Sequence, residues 1–125
     1  MTPQPHFSKN ILATLHASKI LGLRVGAEHR FIGVWFVMAN DRLFVRPWNN
    51  KPDGRYQAFQ EESNGTIQVN EREIKIRARK SRGERLMDTI DQAYREKYPT
   101  PGSHNYVVGF AQPRRRGTTL ELMPI

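Results

Sequence analysis

The chain has no cysteine and no long hydrophobic run, and each absence excludes a class of protein. Without cysteine, its 125 residues cannot form a disulfide, a thiolate metal site or a cysteine nucleophile. The longest apolar run, Val34 to Ala39, is far shorter than the ~18 residues that a membrane-spanning helix needs. The N-terminus has Pro3 and Pro5 where a secretion signal would have an apolar segment. We therefore expect a cytoplasmic protein without a membrane segment.

The sequence also lacks the short motifs typical of common enzyme chemistries. It contains no G-x-x-x-x-G-K-[ST] phosphate loop, no G-x-G-x-x-G fingerprint, no H-E-x-x-H zinc helix and no G-x-S-x-G elbow. The four histidines never fall four residues apart or in a His-x-His pair, so we expect no metal site. The closest carboxylate pairs, Glu61 with Glu62 and Asp88 with Asp91, lie among polar residues, which does not favour acid or base catalysis.

Positive charge is in excess: 20 Lys and Arg stand against 12 Asp and Glu, which gives a net charge of +8. The excess is spread along the chain, and the only run of three is Arg114 to Arg116. Lys75, Arg77 and Arg79 alternate with apolar residues, so a strand would place all three on one face. We name these three residues the cationic row. The row could bind phosphate, although a solvent-facing row on an antiparallel sheet is the plainer interpretation.

Hydrophobic periodicity predicts two helices and about seven short strands. The helices cover Lys9 to Ser18, after the capping residue Ser8, and the stretch from a Ser81–Glu84 capping box to Tyr98. Turns are predicted at Asn40-Asp41, Asn64-Gly65 and Asn70-Glu71, and a loop at Asn49–Gly54. The strands are predicted at Leu21–Val25, Arg30–Ala39, Leu43–Val45, Thr66–Val69, Glu73–Arg79, Asn105–Ala111 and Thr118–Met123.

This pattern predicts one α+β domain, mainly β, over residues 1–125, with residues 1–7 as an N-terminal arm. So many short strands in a chain of this length indicate an antiparallel sheet that is closed or half-closed into a small barrel. Arg30–Ala39 is apolar on both faces, so it is predicted to be the central strand.

Three stretches of the chain resemble an uncharacterised family of small bacterial proteins. They are Leu43–Arg46 with Trp48 and the Gly54–Tyr56 loop, Ile90–Tyr98, and Thr118–Pro124. That family is similar to the FMN-binding split β-barrels, the fold of pyridoxamine-phosphate oxidases and deazaflavin-dependent nitroreductases. The resemblance covers most of residues 20–124. It implies a split β-barrel that binds FMN or a deazaflavin and acts as an oxidoreductase.

The cofactor would need Arg or Lys donors for its phosphate and an aromatic or apolar slot for its ring. Arg46 is the main candidate, at the end of a predicted strand, although an ion pair with Glu73 or Asp53 would also explain it. Tyr94 and Tyr98, four apart on the second helix, are more typical of packing than of ligand contact. The candidate cofactor-binding residues are Arg46, Trp48, Lys51, Arg55, Tyr56, Arg77 and Arg79.

The resemblance also implies a homodimer with the flavin between the two subunits. A half-open barrel would leave sheet edges for a partner to cover. Burial of Trp35, Phe36 or Trp48 against a second copy would add to the contact, although Trp35 and Phe36 are more typical of a core.

Two other functions stay open. A small basic barrel could bind single-stranded nucleic acid through the cationic row and the rings of Trp48, Tyr56 and Phe59. We expect such binding to be weak at most, because no aromatic residue alternates with the cations of the row. A split-barrel relative without cofactor, acting as a structural or interaction protein, is the other alternative. It is supported by Arg55, which stands where relatives usually have Trp.

Overall fold

Six antiparallel strands close into a barrel in the part of the chain that the structure describes. The structure is a computed structural model, and it describes residues 7–26, 31–46, 64–112 and 116–125. The strands are β1 (Ile20–Val25), β2 (Ile32–Ala39), β3 (Arg42–Val45), β4 (Asn64–Val69), β5 (Arg72–Lys80) and β6 (Leu120–Pro124). Around the barrel they follow the order β1-β2-β3-β6-β5-β4, and β4 pairs again with β1. The predicted α+β class and small antiparallel barrel are confirmed.

Three α-helices accompany these strands within the described ranges. They are α1 (Lys9–Ala17), α2 (Glu84–Lys97) and α3 (His104–Phe110), and a short 3-10 helix at Pro101–Ser103 leads into α3. Ser8 caps α1 as predicted, since its hydroxyl accepts the Ile11 N–H at 3.3 Å. None of these helices is long and apolar enough to cross a membrane.

Two of the predicted turns are confirmed, and the third is wrong. Asn40 and Asp41 have φ of 55° and 59°, the left-handed pair that a two-residue hairpin turn requires. The turn at 70–71 has the same form, with φ of 48° and 67°. Asn64 and Gly65 instead begin β4, where Gly65 pairs with Val25 on one side and Ile76 on the other.

The barrel interior is filled by apolar side chains. Alternate residues of the strands point inward, as the periodicity of β1 predicts, and Phe36 is fully buried among them. Helix α1 packs on the same cluster through Leu15, and it lies at the end of the barrel that carries the hairpin turns, since His16 reaches Asp41 at 3.5 Å. The interior of the described barrel is therefore a packed apolar core.

Helix α2 packs on the outer face of β2 and β3. Its buried face consists of Met87, Ile90 and Tyr94, which contact Val37 and Phe44. Strand β2 is therefore covered on both sides, by the barrel interior and by α2. This double burial explains why its sequence is apolar on both faces.

Two predictions near α2 and α3 are wrong. Residues 105–111 were predicted as a strand from their β-branched and aromatic content, but they form α3, which buries Val107 against α2. The capping box is also absent: α2 begins after Gly83, which has no side-chain cap hydrogen bond. The Ser81 N–H instead donates to the Thr119 carbonyl at 3.0 Å and so extends the contact between β5 and β6.

Candidate functional site

Arg46 lies at the end of β3, beneath α2, with its side chain fully buried. Its Nε donates to Thr119 Oγ1 at 2.8 Å, and one terminal nitrogen donates to the Met87 carbonyl at 3.3 Å. The other terminal nitrogen pairs with the carboxylate of Asp91. Charged partners and hydrogen bonds of this kind are what a buried guanidinium needs to offset its desolvation.

Among the described residues, the ion-pair partner of Arg46 is Asp91 and not Glu73, one of the two that the sequence offered. Glu73 lies 3.7 Å from Arg24, and Asp53 lies outside the described residues. Asp91 comes from the middle of α2, 45 positions further along the chain. Sequence spacing carries no signal for a pair over such a separation.

Asp91 also binds a second arginine, Arg116, which precedes β6. The Arg116 Nε lies 3.3 Å from the second Asp91 oxygen, and its terminal nitrogens lie 2.9 Å from Asp88 and 3.6 Å from Glu84. We name Arg46, Asp91, Arg116, Asp88 and Glu84 the ionic cluster. The cluster joins the end of β3, the first two turns of α2 and the chain before β6.

A cavity of about 360 Å³ opens beside the ionic cluster. We name it the basic cleft; it lies between the end of β5, the start of α2 and the chain before β6. Its volume falls within the range of small-molecule sites, roughly 300 to 1,000 Å³. Met87 and Arg116 line the cleft. Arg46 lies behind this wall, because it donates to the Met87 carbonyl and shares its partner Asp91 with Arg116. The cleft is lined by Lys80, Ser81, Arg82, Glu84, Met87, Arg116 and Gly117.

The cationic row faces outward on β5, as its alternation predicts. Ile76 and Ala78 point inward and are buried, whereas Lys75, Arg77 and Arg79 are exposed. The row is two strands away from Arg46, because β6 lies between β3 and β5. The structure therefore does not bring Arg77 and Arg79 into contact with the Arg46 guanidinium.

Arg79 shares a buried carboxylate with an arginine of β3. Glu121 on β6 accepts from Arg79 at 3.0 Å and from Arg42 at 2.8 and 3.0 Å. Burial alone would raise the pKa of Glu121, but the hydrogen bonds from Arg42 and Arg79 lower it below its ordinary value. Arg79 thus has a structural role, and the Arg77 Nε lies 3.5 Å from the Asn64 side-chain oxygen.

Tyr94 and Tyr98 pack as predicted, and their hydroxyls bind strand backbone. The Tyr94 hydroxyl accepts the Arg46 N–H at 3.2 Å. The Tyr98 hydroxyl accepts the Phe36 N–H at 3.1 Å and donates to the Lys19 carbonyl at 2.6 Å. It lies where the pairing of β1 and β2 ends, so it continues the ladder between the two strands. Burial raises the pKa of Tyr98 to about 12, so the hydroxyl stays protonated at neutral pH.

Trp48, Lys51, Arg55 and Tyr56 lie outside the described residues. The residues on either side of that segment are described: Arg46 directly follows β3, and Asn64 begins β4. Both are at the barrel end where β5 finishes and β6 starts, which is the end that carries the basic cleft. The sequence analysis did not identify four residues at this end, because only the register of distant strands brings them together. They are Lys80, Arg82, Asp91 and Thr119.

Comparison with known proteins decides the family. A family model described as "Uncharacterized protein conserved in bacteria (DUF2255)" matches residues 20–122. The chain belongs to this family. The range that DUF2255 matches contains the ionic cluster, the basic cleft and the cationic row. The resemblance to an uncharacterised bacterial family is therefore confirmed.

The fold of this DUF2255 protein is similar to that of a solved structure. The crystal structure of conserved hypothetical protein Rv2991 from Mycobacterium tuberculosis superposes with a TM-score of 0.60 and 9% sequence identity. The alignment covers 100% of this chain and 83% of that chain. At this identity the likeness shows a shared fold. No match was found among the curated proteins.

Proposed function

We propose that this DUF2255 protein is a cytoplasmic oxidoreductase that binds FMN or a phosphate-bearing deazaflavin, with the cofactor phosphate in the basic cleft. The observation that carries the proposal is the convergence of Lys80, Arg82 and Arg116 on one cavity outside a packed barrel. An Arg or Lys cluster of this kind suits a doubly charged phosphate.

The charge balance around the cleft favours an anion. The cations Arg46, Lys80, Arg82 and Arg116 outnumber the carboxylates Glu84, Asp88 and Asp91 by four to three. Asp91 is largely buried between Arg46 and Arg116, whereas Glu84 and Asp88 are exposed and pair with Arg116. Arg82 is exposed and has no ion pair within the described residues. Arg82 therefore adds a positive charge at the cleft that a phosphate could bind.

The start of α2 supports the same assignment. The first N–H groups of a helix have no acceptor within the helix, and they carry a partial positive charge. Gly83 provides no side chain to accept from them. A phosphate oxygen in the cleft, which Glu84 and Ser81 line at this helix end, would be such an acceptor.

The remaining predicted residues keep a part in the proposal. Trp48 and Tyr56 are proposed to contact the flavin ring, and Lys51 and Arg55 to add charge near the phosphate. Arg77 and Arg79 are proposed as a second, outward group of donors. The hydride chemistry itself would be supplied by the bound flavin, for which the protein provides position and electrostatics.

Titration of FMN and riboflavin, followed by flavin fluorescence, tests the phosphate position. In the Lys80→Ala/Arg82→Ala variant, we expect FMN affinity to fall by roughly one to two decades, since charge-assisted contacts worth ~1.5 to 3 kcal/mol are lost. Riboflavin, which has no phosphate, should bind the wild type and the variant equally. A deazaflavin titrated in parallel shows which flavin is preferred.

Two further variants act as controls for this titration. Arg72→Ala removes an exposed arginine at the other end of β5 and should leave FMN affinity unchanged. Arg77→Ala/Arg79→Ala tests the cationic row. If the row variant weakens FMN and the cleft variant does not, the phosphate lies on the row and the proposed position is wrong. Equal loss of riboflavin affinity in the cleft variant would also contradict it.

We also propose a homodimer, on different grounds from those of the sequence. The described strands close on one another, so free sheet edges no longer argue for a partner. An exposed apolar surface argues for a partner instead. Ile20 is 56% exposed beside Trp35, and Tyr106, 49% exposed, lies 5.3 Å from the Trp35 ring. Phe36, in contrast, is core.

Light scattering is expected to give about twice the 14.5 kDa chain mass at micromolar concentration. Ile20→Glu should shift the protein to the monomer mass, because a charge is placed in the proposed contact. Ile125→Glu, a change at another exposed isoleucine, should not. A monomer mass for the wild type would contradict the dimer.

A further inference from the structure

The outer faces of β1, β4 and β5 form a polar surface on the side of the barrel away from α2, which packs on β2 and β3. The strand register places Arg24, Thr66 and Lys75 side by side across this surface. Asn64 lies beside Arg77 in the same way, and the outward residues of β4 are polar and uncharged. We name this surface the polar wall; its members are Arg24, Asn64, Thr66, Gln68, Lys75 and Arg77.

Positive charge predominates on the polar wall and where it meets β6. Glu73 lies 3.7 Å from Arg24, and Glu121 is buried and binds two of the cations. Lys75 and Arg77 are exposed and have no ion pair within the described ranges. An anion with several charges would therefore meet unpaired cations here. The charged side chains are those of Arg24, Arg42, Lys75, Arg77 and Arg79, against Glu73 and Glu121.

The cationic row repeats at a spacing that suits a chain of phosphates. Lys75 and Arg77 are two positions apart on β5, and two residues of a strand span about 6.7 Å. Successive phosphates of an extended nucleic-acid strand are separated by a similar distance. A strand that runs along β5 would thus place one phosphate beside each cation, and every such contact releases bound counterions.

Strand β1 provides the aromatic contact that β5 itself lacks. Phe31 lies against the outer face of Gly22, where an added Cβ would be 3.5 Å from the Phe31 ring. The Arg24 guanidinium lies over this ring, 4.5 Å from its centroid. Among the described residues its Nε has no hydrogen-bond partner, and a terminal nitrogen is 3.5 Å from Thr66 Oγ1. We name Arg24 and Phe31 the stacking pair, because nucleic-acid bases stack on both aromatic rings and guanidinium planes.

We propose that the polar wall binds single-stranded nucleic acid, with phosphates on the cationic row and a base on the stacking pair. Only β4 separates the stacking pair from the row, so one nucleotide can reach both. The binding is without sequence preference, because stacking and phosphate contacts are open to every base. We expect a Kd on the order of 1 to 100 μM at physiological salt. The site is separate from the basic cleft and does not depend on flavin binding.

Fluorescence anisotropy with the whole protein tests the site. The probes are a labelled oligothymidine of about twelve nucleotides and an abasic strand of the same length. In Lys75→Gln/Arg77→Gln, we expect affinity for both strands to fall about tenfold at low salt. The slope of log K against log salt should become shallower by about 1.4, since each phosphate contact contributes about 0.7.

The stacking pair is tested by the difference between the two probes. Wild-type protein should bind oligothymidine more tightly than the abasic strand. Phe31→Leu should weaken oligothymidine about fivefold and leave the abasic strand unchanged, because only the first has bases to stack. Arg24→Gln is a second variant of the same pair, and it should weaken oligothymidine more than the abasic strand. Equal affinity of the wild type for the two probes would overturn the stacking assignment.

A matched variant separates this site from a general effect of charge. Arg85→Gln/Arg95→Gln removes the same two charges from exposed positions of α2 and should leave both affinities within about twofold. An equal loss in this variant would mean that only net charge attracts the strand, which overturns the proposal. Loss of binding in Lys80→Ala/Arg82→Ala but not in the row variant would place the strand at the basic cleft instead. Absence of saturable binding by the wild type would also overturn it.

Discussion

Replacement of Arg46 by methionine is expected to lower the free energy of unfolding by about 3 kcal/mol. The side chain is fully buried, and its loss leaves the Asp91 carboxylate, 12% exposed, without its inner partner. The Thr119 hydroxyl and the Met87 carbonyl lose a donor at the same time. Arg116 still pairs with Asp91, which places the loss near the lower end of the range for a broken buried ion pair. Urea unfolding of the two proteins measures the difference.

Two companion variants make this result specific to the ion pair. Arg95→Met removes an arginine from the exposed face of α2, where its guanidinium contacts Gln92, and should change the stability by less than about 0.5 kcal/mol. In the background of Asp91→Asn, the Arg46→Met change should cost less than it does alone, because the two residues are coupled. A loss under ~1 kcal/mol for Arg46→Met would mean that the pair behaves as a surface pair.

Replacement of Tyr98 by phenylalanine is expected to cost about 1 to 3 kcal/mol, although it removes a single oxygen. That hydroxyl satisfies the Phe36 N–H and the Lys19 carbonyl at the point where β1 and β2 stop pairing. Without it, buried backbone groups lose their partner, and the ring stack on Trp35, at 4.4 Å, remains as the main contact. Chemical denaturation reports the loss.

Hydrogen exchange would locate the effect of the Tyr98 change. The Phe36 amide should exchange faster in Tyr98→Phe than in the wild type, whereas amides of β5 should be unaffected. Tyr106→Phe is the matched control, since Tyr106 is half-exposed and should cost less when it loses its oxygen. Equal costs for the two tyrosines would contradict the role given to the Tyr98 hydroxyl.

Local patterns in the sequence were sufficient for most of the barrel. Alternation located β1 and the outward row of β5, and the paired left-handed residues at 40–41 and 70–71 fixed two hairpins. Local patterns predicted the wrong element where tertiary contacts determine the secondary structure. The segment around Val107 is β-branched, yet it folds as a helix because it packs on α2. Ser81 is a typical helix-capping residue, but its backbone N–H donates to the Thr119 carbonyl and so continues the sheet.

The candidate site was less accessible to sequence reasoning. Arg46 could be singled out as a cation at a strand end, but its burial depends on α2, and its partner Asp91 is remote in the chain. The lining of the basic cleft combines the end of β5 with residues 116–117 across β6. Such a combination follows from strand order, which hydrophobic periodicity does not determine.

The visible absorption spectrum of reconstituted protein tests the proposed function most directly. Purified protein is incubated with excess FMN or a deazaflavin, desalted and scanned. The proposed function predicts that a flavin or deazaflavin band co-elutes with the protein, and that the Lys80→Ala/Arg82→Ala variant retains much less of it. A spectrum with only aromatic side-chain absorption after incubation with either cofactor would contradict flavin binding by this barrel.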